Sequence, residues 1–148
     1  MIEEVTDIAQ IEQEIIDEFS LFDDWMDKYE HIIGLGKELP LIEENLKTDD
    51  LLIKGCQSRV WLHAKMEDGK VIYTADSDAI ITKGIISLLI RALSGQTPDT
   101  IINTDLSFID QIGLKEHLSP TRSNGLVSMV KQMKLYAIAF KTQQNNPS

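Results

Sequence analysis

Between Val60 and Ala75 the chain reads VWLHAKMEDGKVIYTA, and this stretch constrains the fold more than any other. Val60, Leu62, Ala64 and Met66 alternate with Trp61, His63 and Lys65, the two-residue period of a strand with one buried face. Asp68-Gly69, within Glu67–Lys70, is the strongest short signal for a tight hairpin, and Val71 to Ala75 returns as its second strand. Leu51-Leu52-Ile53 is a candidate third strand leading in. So small a sheet is marginal in water unless helices cover its apolar face. The expected fold class is therefore α+β, a small antiparallel sheet of two or three strands packed against several helices.

Helical spacing supplies those helices. Ile8, Ile11, Ile15 and Phe19 form one stripe, and Phe22, Trp25, Met26, Tyr29, Ile32 and Ile33 a second, so two helices precede the sheet. Ser20 with Asp23 resembles a capping arrangement between them. Gly34 and Gly36 punctuate the end of the second. After the hairpin, Asp76-Ser77-Asp78 offers N-cap residues for a helix burying Ile81, Ile85, Leu88, Leu89 and Ala92. A short turn or helix is expected to start at Thr97-Pro98-Asp99, and another short helix over Phe108 to Ile112. A loop from Leu118 to Gly125 then leads into a last helix with the stripe Leu126, Met129, Val130, Met133, Tyr136, Ala137 and Phe140.

At 148 residues, without repeats or a break in composition, the sequence reads as a single domain over 1–148. Residues 1–18 form an acidic helical extension and 142–148 a polar, frayed tail. Its net charge of −10 is uneven. Residues 1–50 hold 16 Asp/Glu and 3 Lys, whereas residues 51–148 hold 8 acids and 11 Lys/Arg. After Glu116 there are no acids, only Arg122, Lys131, Lys134 and Lys141. No basic stripe interleaved with aromatics is present, which argues against nucleic acid and for a protein partner. The longest apolar region, Ala79 to Leu93, is interrupted by Lys83 and Arg91, so no membrane span is expected. The first ten residues, MIEEVTDIAQ, are acidic where an export signal is basic, and a cytoplasmic location is expected.

Cys56 is the sole cysteine. It stands in KGCQSRVW, after a glycine and before a strand, the setting of a displayed group rather than a core filler. Lys54 and Arg59 are expected to favour its thiolate. An intramolecular disulfide is excluded, and a metal or cluster site would need more ligands than one thiol. A cysteine hydrolase needs an imidazole base, and His31, His63 and His117 sit in no catalytic motif. Those two alternatives, an iron–sulfur scaffold and a small cysteine hydrolase, are the weaker readings. A thiol that accepts a group from another protein and hands it on is the stronger one. Gln57, Ser58, Arg59 and Arg122 are candidates for shaping the loop or binding the partner. Asp76 and Asp78 are candidates for the same work, with N-capping as the simpler account.

KGCQSRVW resembles the cysteine signature of the SufE/CsdE family of sulfur acceptors. DSDA at 76–79 with Lys83-Gly84, LSPTRSNGL at 118–126, and the run from Trp25 through Tyr29 and Ile32-Ile33 to Leu39-Pro40 are similar to further elements of that family. The resemblance implies a SufE/IscU-like α+β fold and a persulfide-accepting Cys56. It also implies a PLP-dependent SufS- or CsdA-type cysteine desulfurase as sulfur donor, stimulated by this protein, and a SufBCD-type complex as recipient in iron–sulfur assembly. No cofactor of its own is implied, since the PLP belongs to the donor. On that reading the protein is a non-enzymatic accessory.

Overall fold

The computed structural model describes residues 7–145. Two strands, β1 (Val60–Glu67) and β2 (Lys70–Ser77), pair antiparallel from Val60 opposite Ser77 to Glu67 opposite Lys70. Asp68 and Gly69 turn between them, both at positive φ (53° and 80°), the geometry a two-residue hairpin requires. Val60, Leu62, Ala64, Val71, Tyr73 and Ala75 are buried on one face, as the alternation predicts.

The expected third strand at 51–53 reduces to a 3-10 turn over Asp49–Leu51 and a single bridge from Leu52 to Trp61. Ile53 N donates to Val60 O, so the chain leaves the sheet after Ile53 and returns to it at Val60. The intervening residues make a closed excursion, which is why pairing cannot extend further.

Among the described residues, seven helices cover the sheet and one another: α1 (Ile8–Phe19), α2 (Trp25–Leu35), α3 (Ile80–Leu93), α4 (Pro98–Asn103), α5 (Phe108–Gln111), α6 (Leu114–His117) and α7 (Pro120–Asn145). α3 is apolar nearly all round and lies in the centre of the core, with Ile85, Ile86, Leu88, Leu89, Ala92 and Leu93 at most 1% exposed. α2 crosses α3 where Gly84 faces the Ile32 carbonyl. A Cβ on Gly84 would stand 2.1 Å from that oxygen, so only glycine allows this crossing.

Two tyrosines tie α7 to the hairpin. The buried Tyr73 hydroxyl donates to Met133 O at 2.6 Å, and Tyr136 donates to Leu62 O at 3.0 Å. Each satisfies a carbonyl while its ring fills the core.

Two capping expectations and one helix boundary need correction. α2 is capped by Asp24, which accepts from Asp27 N at 2.9 Å, whereas Ser20 closes α1. α3 has Ala79 at its N-cap position and no side-chain cap, because Asp76 and Asp78 are engaged elsewhere. The last helix begins at Pro120, inside the segment expected to be loop; Ser119 Oγ accepts from Arg122 N, and proline suits the first helical position. Residues 142–145 continue that helix, and 146–148 lie outside the described residues, as do 1–6 of the acidic extension. Residues 8–18 of that extension are helix α1, which buries Ile15 and joins the core.

Candidate functional site

Cys56 sits on the excursion between Ile53 and Val60, half-buried against the first turns of α7. Its thiol lies 3.6 Å from the Gly125 carbonyl and donates to it. The sulfur opens on a cleft of about 100 Å³ lined by Gln57, Ser58, Thr82, Ile85, Thr121, Arg122, Gly125 and Met129. Three sequence segments thus meet: the cysteine loop, the start of α3 and the start of α7.

The loop lies close against α7 at one end and is clamped at the other. On the N-terminal side Gly55 adopts φ +94°, and a Cβ there would come within 2.4 Å of Ser128 Oγ on α7. On the C-terminal side the backbone of Arg59 is clamped by the end of β2. Asp78 Oδ1 accepts from Arg59 N at 3.1 Å, while Ser77 Oγ and Asp78 N both donate to Arg59 O. Asp78 thus shapes the loop through hydrogen bonds that N-capping would have precluded.

Asp76 does something else. It accepts from Lys47 at 2.6 Å, from Ser77 N at 2.8 Å, and pairs with Lys83 at 3.3 Å. Burial works to raise its pKa, but these hydrogen bonds and the lysine charges outweigh burial and hold the carboxyl below its ordinary value. Lys47 also lies over the Trp61 ring, 5.4 Å from its centroid. The cluster joins the segment before the cysteine loop to β1, β2 and α3.

Arg122 projects from the first turn of α7 into the cleft's rim, where its Nη1 donates to the Tyr29 hydroxyl at 3.2 Å. It is exposed and links α2 to α7 beside the sulfur. Arg59, by contrast, contributes its backbone to the loop while its side chain stays exposed and outside the cleft lining. Lys54 is exposed too. The expectation that these two cations ionise the thiol does not hold: burial alone acts on Cys56 and pushes its pKa up. At rest, below that raised pKa, the group is a protonated thiol.

Two of the three histidines are occupied away from the sulfur. His31 pairs with Glu18 at 2.8 Å, between the rings of Phe19 and Phe22. His117 stacks on Trp25 at 4.3 Å and bonds to Gly113 O. His63 lies on β1, and none of the three lines the cleft. Among the described residues there is no cluster of three or more His, Cys, Asp or Glu suited to a metal ion. No helix among them is long and apolar enough to cross a membrane.

Sequence reasoning missed Thr82, Ile85 and Met129 as cleft residues, since each falls in an apolar helical stripe and reads as core. It also missed Tyr29, whose hydroxyl meets Arg122 across 93 residues of chain. A polar threonine inside the stripe of α3 was the one local sign. Gly125, quoted only as part of a motif, supplies the carbonyl that faces the sulfur.

Residues 13–137 match the protein-family description "SufE: Fe-S metabolism associated domain". The chain belongs to the SufE family. Membership places it in iron–sulfur metabolism. An uncharacterized SufE-like protein of Synechocystis sp. is 40% identical over 132 residues, spanning 88% of this chain and 82% of its own length. One from Rhizobium meliloti is 40% identical over 126 residues, or 82% of this chain and 90% of that one. SufE-like protein 1, chloroplastic/mitochondrial, of Arabidopsis thaliana is 36% identical over 137 residues, 92% of this chain but 37% of that longer protein. In three dimensions the chain resembles the solution structure of a hypothetical protein from Thermus thermophilus, with a TM-score of 0.74 and 19% identity over 89% of this chain and 96% of that one. That likeness concerns the fold, and it agrees with the α+β class read from the hairpin.

Proposed function

We propose that Cys56 accepts sulfane sulfur from the active-site persulfide of a PLP-dependent, SufS- or CsdA-type cysteine desulfurase, stimulates its turnover, and passes the sulfur to a SufBCD-type assembly complex. The observation that carries this is the placement of the only thiol at the mouth of a small cleft whose lining holds neither an imidazole nor a second thiol. Such a group has no base for hydrolysis and no resolving partner for redox work. It can take and give one atom.

In the transfer, the Cys56 thiolate attacks the terminal sulfur of the donor persulfide. A new S–S bond forms to Cys56, the old one breaks, and the electron pair leaves with the donor's thiolate. Donor thiolate plus Cys56 persulfide carry the same atoms and electrons as the reactants. Because burial keeps the resting thiol protonated, docking must expose the sulfur or bring a proton acceptor to it. The loop suits such opening, since its hydrogen bonds to the rest of the molecule are few, the Cys56 thiol to the Gly125 carbonyl and the Asp78 and Ser77 clamp on Arg59. Arg122, at the rim, is positioned to engage the donor or a carboxylate next to its persulfide. Gln57 and Ser58, in the cleft lining, shape the sulfur's surroundings. The protein acts in this scheme as an accessory in the cytoplasm, with no cofactor of its own.

Intact-mass analysis after incubation with a cognate desulfurase and L-cysteine tests the reading. One added sulfur atom is expected on the wild type and none on Cys56→Ser. An active desulfurase that leaves the wild type unmodified would overturn it.

A further inference from the structure

The floor of the Cys56 cleft holds one polar group that the fold leaves unsatisfied. Thr82 and Ile85, three apart on α3, and Gly125 and Met129, four apart on α7, form the buried part of the lining. Thr82 itself is only 6% exposed. Among the described residues its hydroxyl makes no hydrogen bond. A helical threonine commonly returns its hydroxyl to a carbonyl one turn back, as Thr142 does to Ile138 O at 3.0 Å. Ser87, farther along α3 and also buried, donates to Leu35 O at 2.8 Å. A buried polar group without a partner costs stability, so Thr82 marks a place where an incoming atom completes the bonding.

The contents of the cleft select that atom. A volume of about 100 Å³ is several times what one water requires, so an added sulfur fits beside Sγ. The Gly125 carbonyl, the acceptor on the floor, is matched to the resting thiol, which donates to it. A perthiol is a stronger acid than a thiol, so the outer sulfur of a persulfide is an anion at neutral pH and only accepts hydrogen bonds. Gln57, Thr121 and Arg122 are exposed at the mouth. Arg122, the sole charged residue of the lining, is engaged with Tyr29. On the buried floor the one side-chain donor is the Thr82 hydroxyl.

We propose that Thr82 binds the sulfur that Cys56 carries: its hydroxyl donates a hydrogen bond to the outer sulfur of the persulfide and stabilises that sulfur as an anion. The inference rests on the reading of Cys56 as a sulfur acceptor. Loss of the cargo to a small thiol runs through the neutral persulfide. The attacking thiolate takes the outer sulfur with its proton, the S–S bond breaks, and Cys56 leaves as thiolate. Holding the anion therefore protects the cargo until a recipient draws the loop out of the cleft.

Chemical loading tests this without a donor protein. The Cys56 thiolate takes one sulfur from inorganic polysulfide, the shortened polysulfide leaves with the electron pair, and intact mass verifies a single added sulfur. Thr82→Val keeps the side chain's shape and removes the donor, whereas Thr82→Ser keeps the donor. In loaded Thr82→Val, alkylation of the persulfide should follow a curve displaced to higher pH. Glutathione should strip its sulfur about tenfold faster, the factor that one hydrogen bond to an anion supplies. Thr82→Ser should keep the wild-type curve. Unloaded Thr82→Val should show a urea midpoint no lower than that of wild type, because nothing in the resting protein pairs with the hydroxyl. An unmoved alkylation curve in loaded Thr82→Val, or a lowered midpoint in the unloaded variant, would defeat the proposal. Failure of an active desulfurase to load wild-type Cys56 is a different result, which strikes the sulfur-acceptor reading and leaves the polysulfide measurements standing.

Discussion

Two glycines mark two kinds of close approach in this molecule. At Gly84 the backbone of α3 crosses the backbone of α2, and an added Cβ would meet the Ile32 carbonyl oxygen at 2.1 Å and its carbon at 2.7 Å. At Gly55 the obstacle is the Ser128 hydroxyl at 2.4 Å, the end of a short side chain at the protein surface. The first contact cannot relax without parting two helices in the core, whereas the second relaxes by rotation of one serine and a shift of a few tenths of an ångström, since Ser128 Cβ would stand at 3.3 Å. The fold is rigid where α2 meets α3 and yielding where the loop meets α7. The thiol stands one residue from the yielding contact.

Gly84→Ala is the sharpest way to break this comparison. It should cost at least about 3 kcal/mol in urea unfolding, because overpacking against backbone forces the helices apart. A near-neutral result would mean that the crossing adapts and that the contrast with Gly55 is false.

Removing the ionic cluster comes next. Asp76→Asn should cost about 1 to 3 kcal/mol at neutral pH, since its carboxylate is 14% exposed and accepts charged hydrogen bonds. With the folded pKa below the ordinary value, that stabilisation is present above about pH 4 and is lost as pH falls through the folded pKa. Urea midpoints measured down the acid limb should accordingly fall more steeply for wild type than for Asp76→Asn.

Gly55→Ala should be milder, about 1 to 2 kcal/mol, most of it the strain of an L-residue at positive φ. Adding Ser128→Ala should recover only the steric share. Iodoacetamide should react faster with Cys56 in the single variant, and an unchanged rate would show that the loop does not gate the thiol.

The smallest effect concerns ionisation. Alkylation of native Cys56 should rise with pH along a curve displaced above that of the unfolded chain, because burial raises the thiol's pKa. Asp78→Ala, which frees the backbone of Arg59, should move the curve partway back while costing about 1 kcal/mol of stability.

Local signals carried much of the architecture. Period-2 alternation and Asp68-Gly69 defined the hairpin because both depend on neighbours two to four residues away. Helical stripes located α1, α2, α3 and α7 for the same reason. The start of α7 was missed: Leu118 to Gly125 reads as a loop, whereas the helix begins at Pro120, where Ser119-Pro120 is a helix-start signal. The acids of DSDA were misjudged as caps, because their partners, Lys47 and the Arg59 backbone, are distant in sequence and become neighbours only after β2 pairs with β1.

By itself the sequence determined that one small hairpin needs a helical cover and that a single thiol precedes it in a family-like setting. Its charge pattern also shows in advance that the last helix is basic on an otherwise acidic chain. Tertiary structure decided the state of that thiol. Lys54 and Arg59 are close along the chain yet exposed, whereas Gly125, Thr82 and Met129 are remote in sequence and enclose the sulfur. Ionisation depends on what surrounds a group in space, and here removal from water, unrelieved by either cation, governs the thiol.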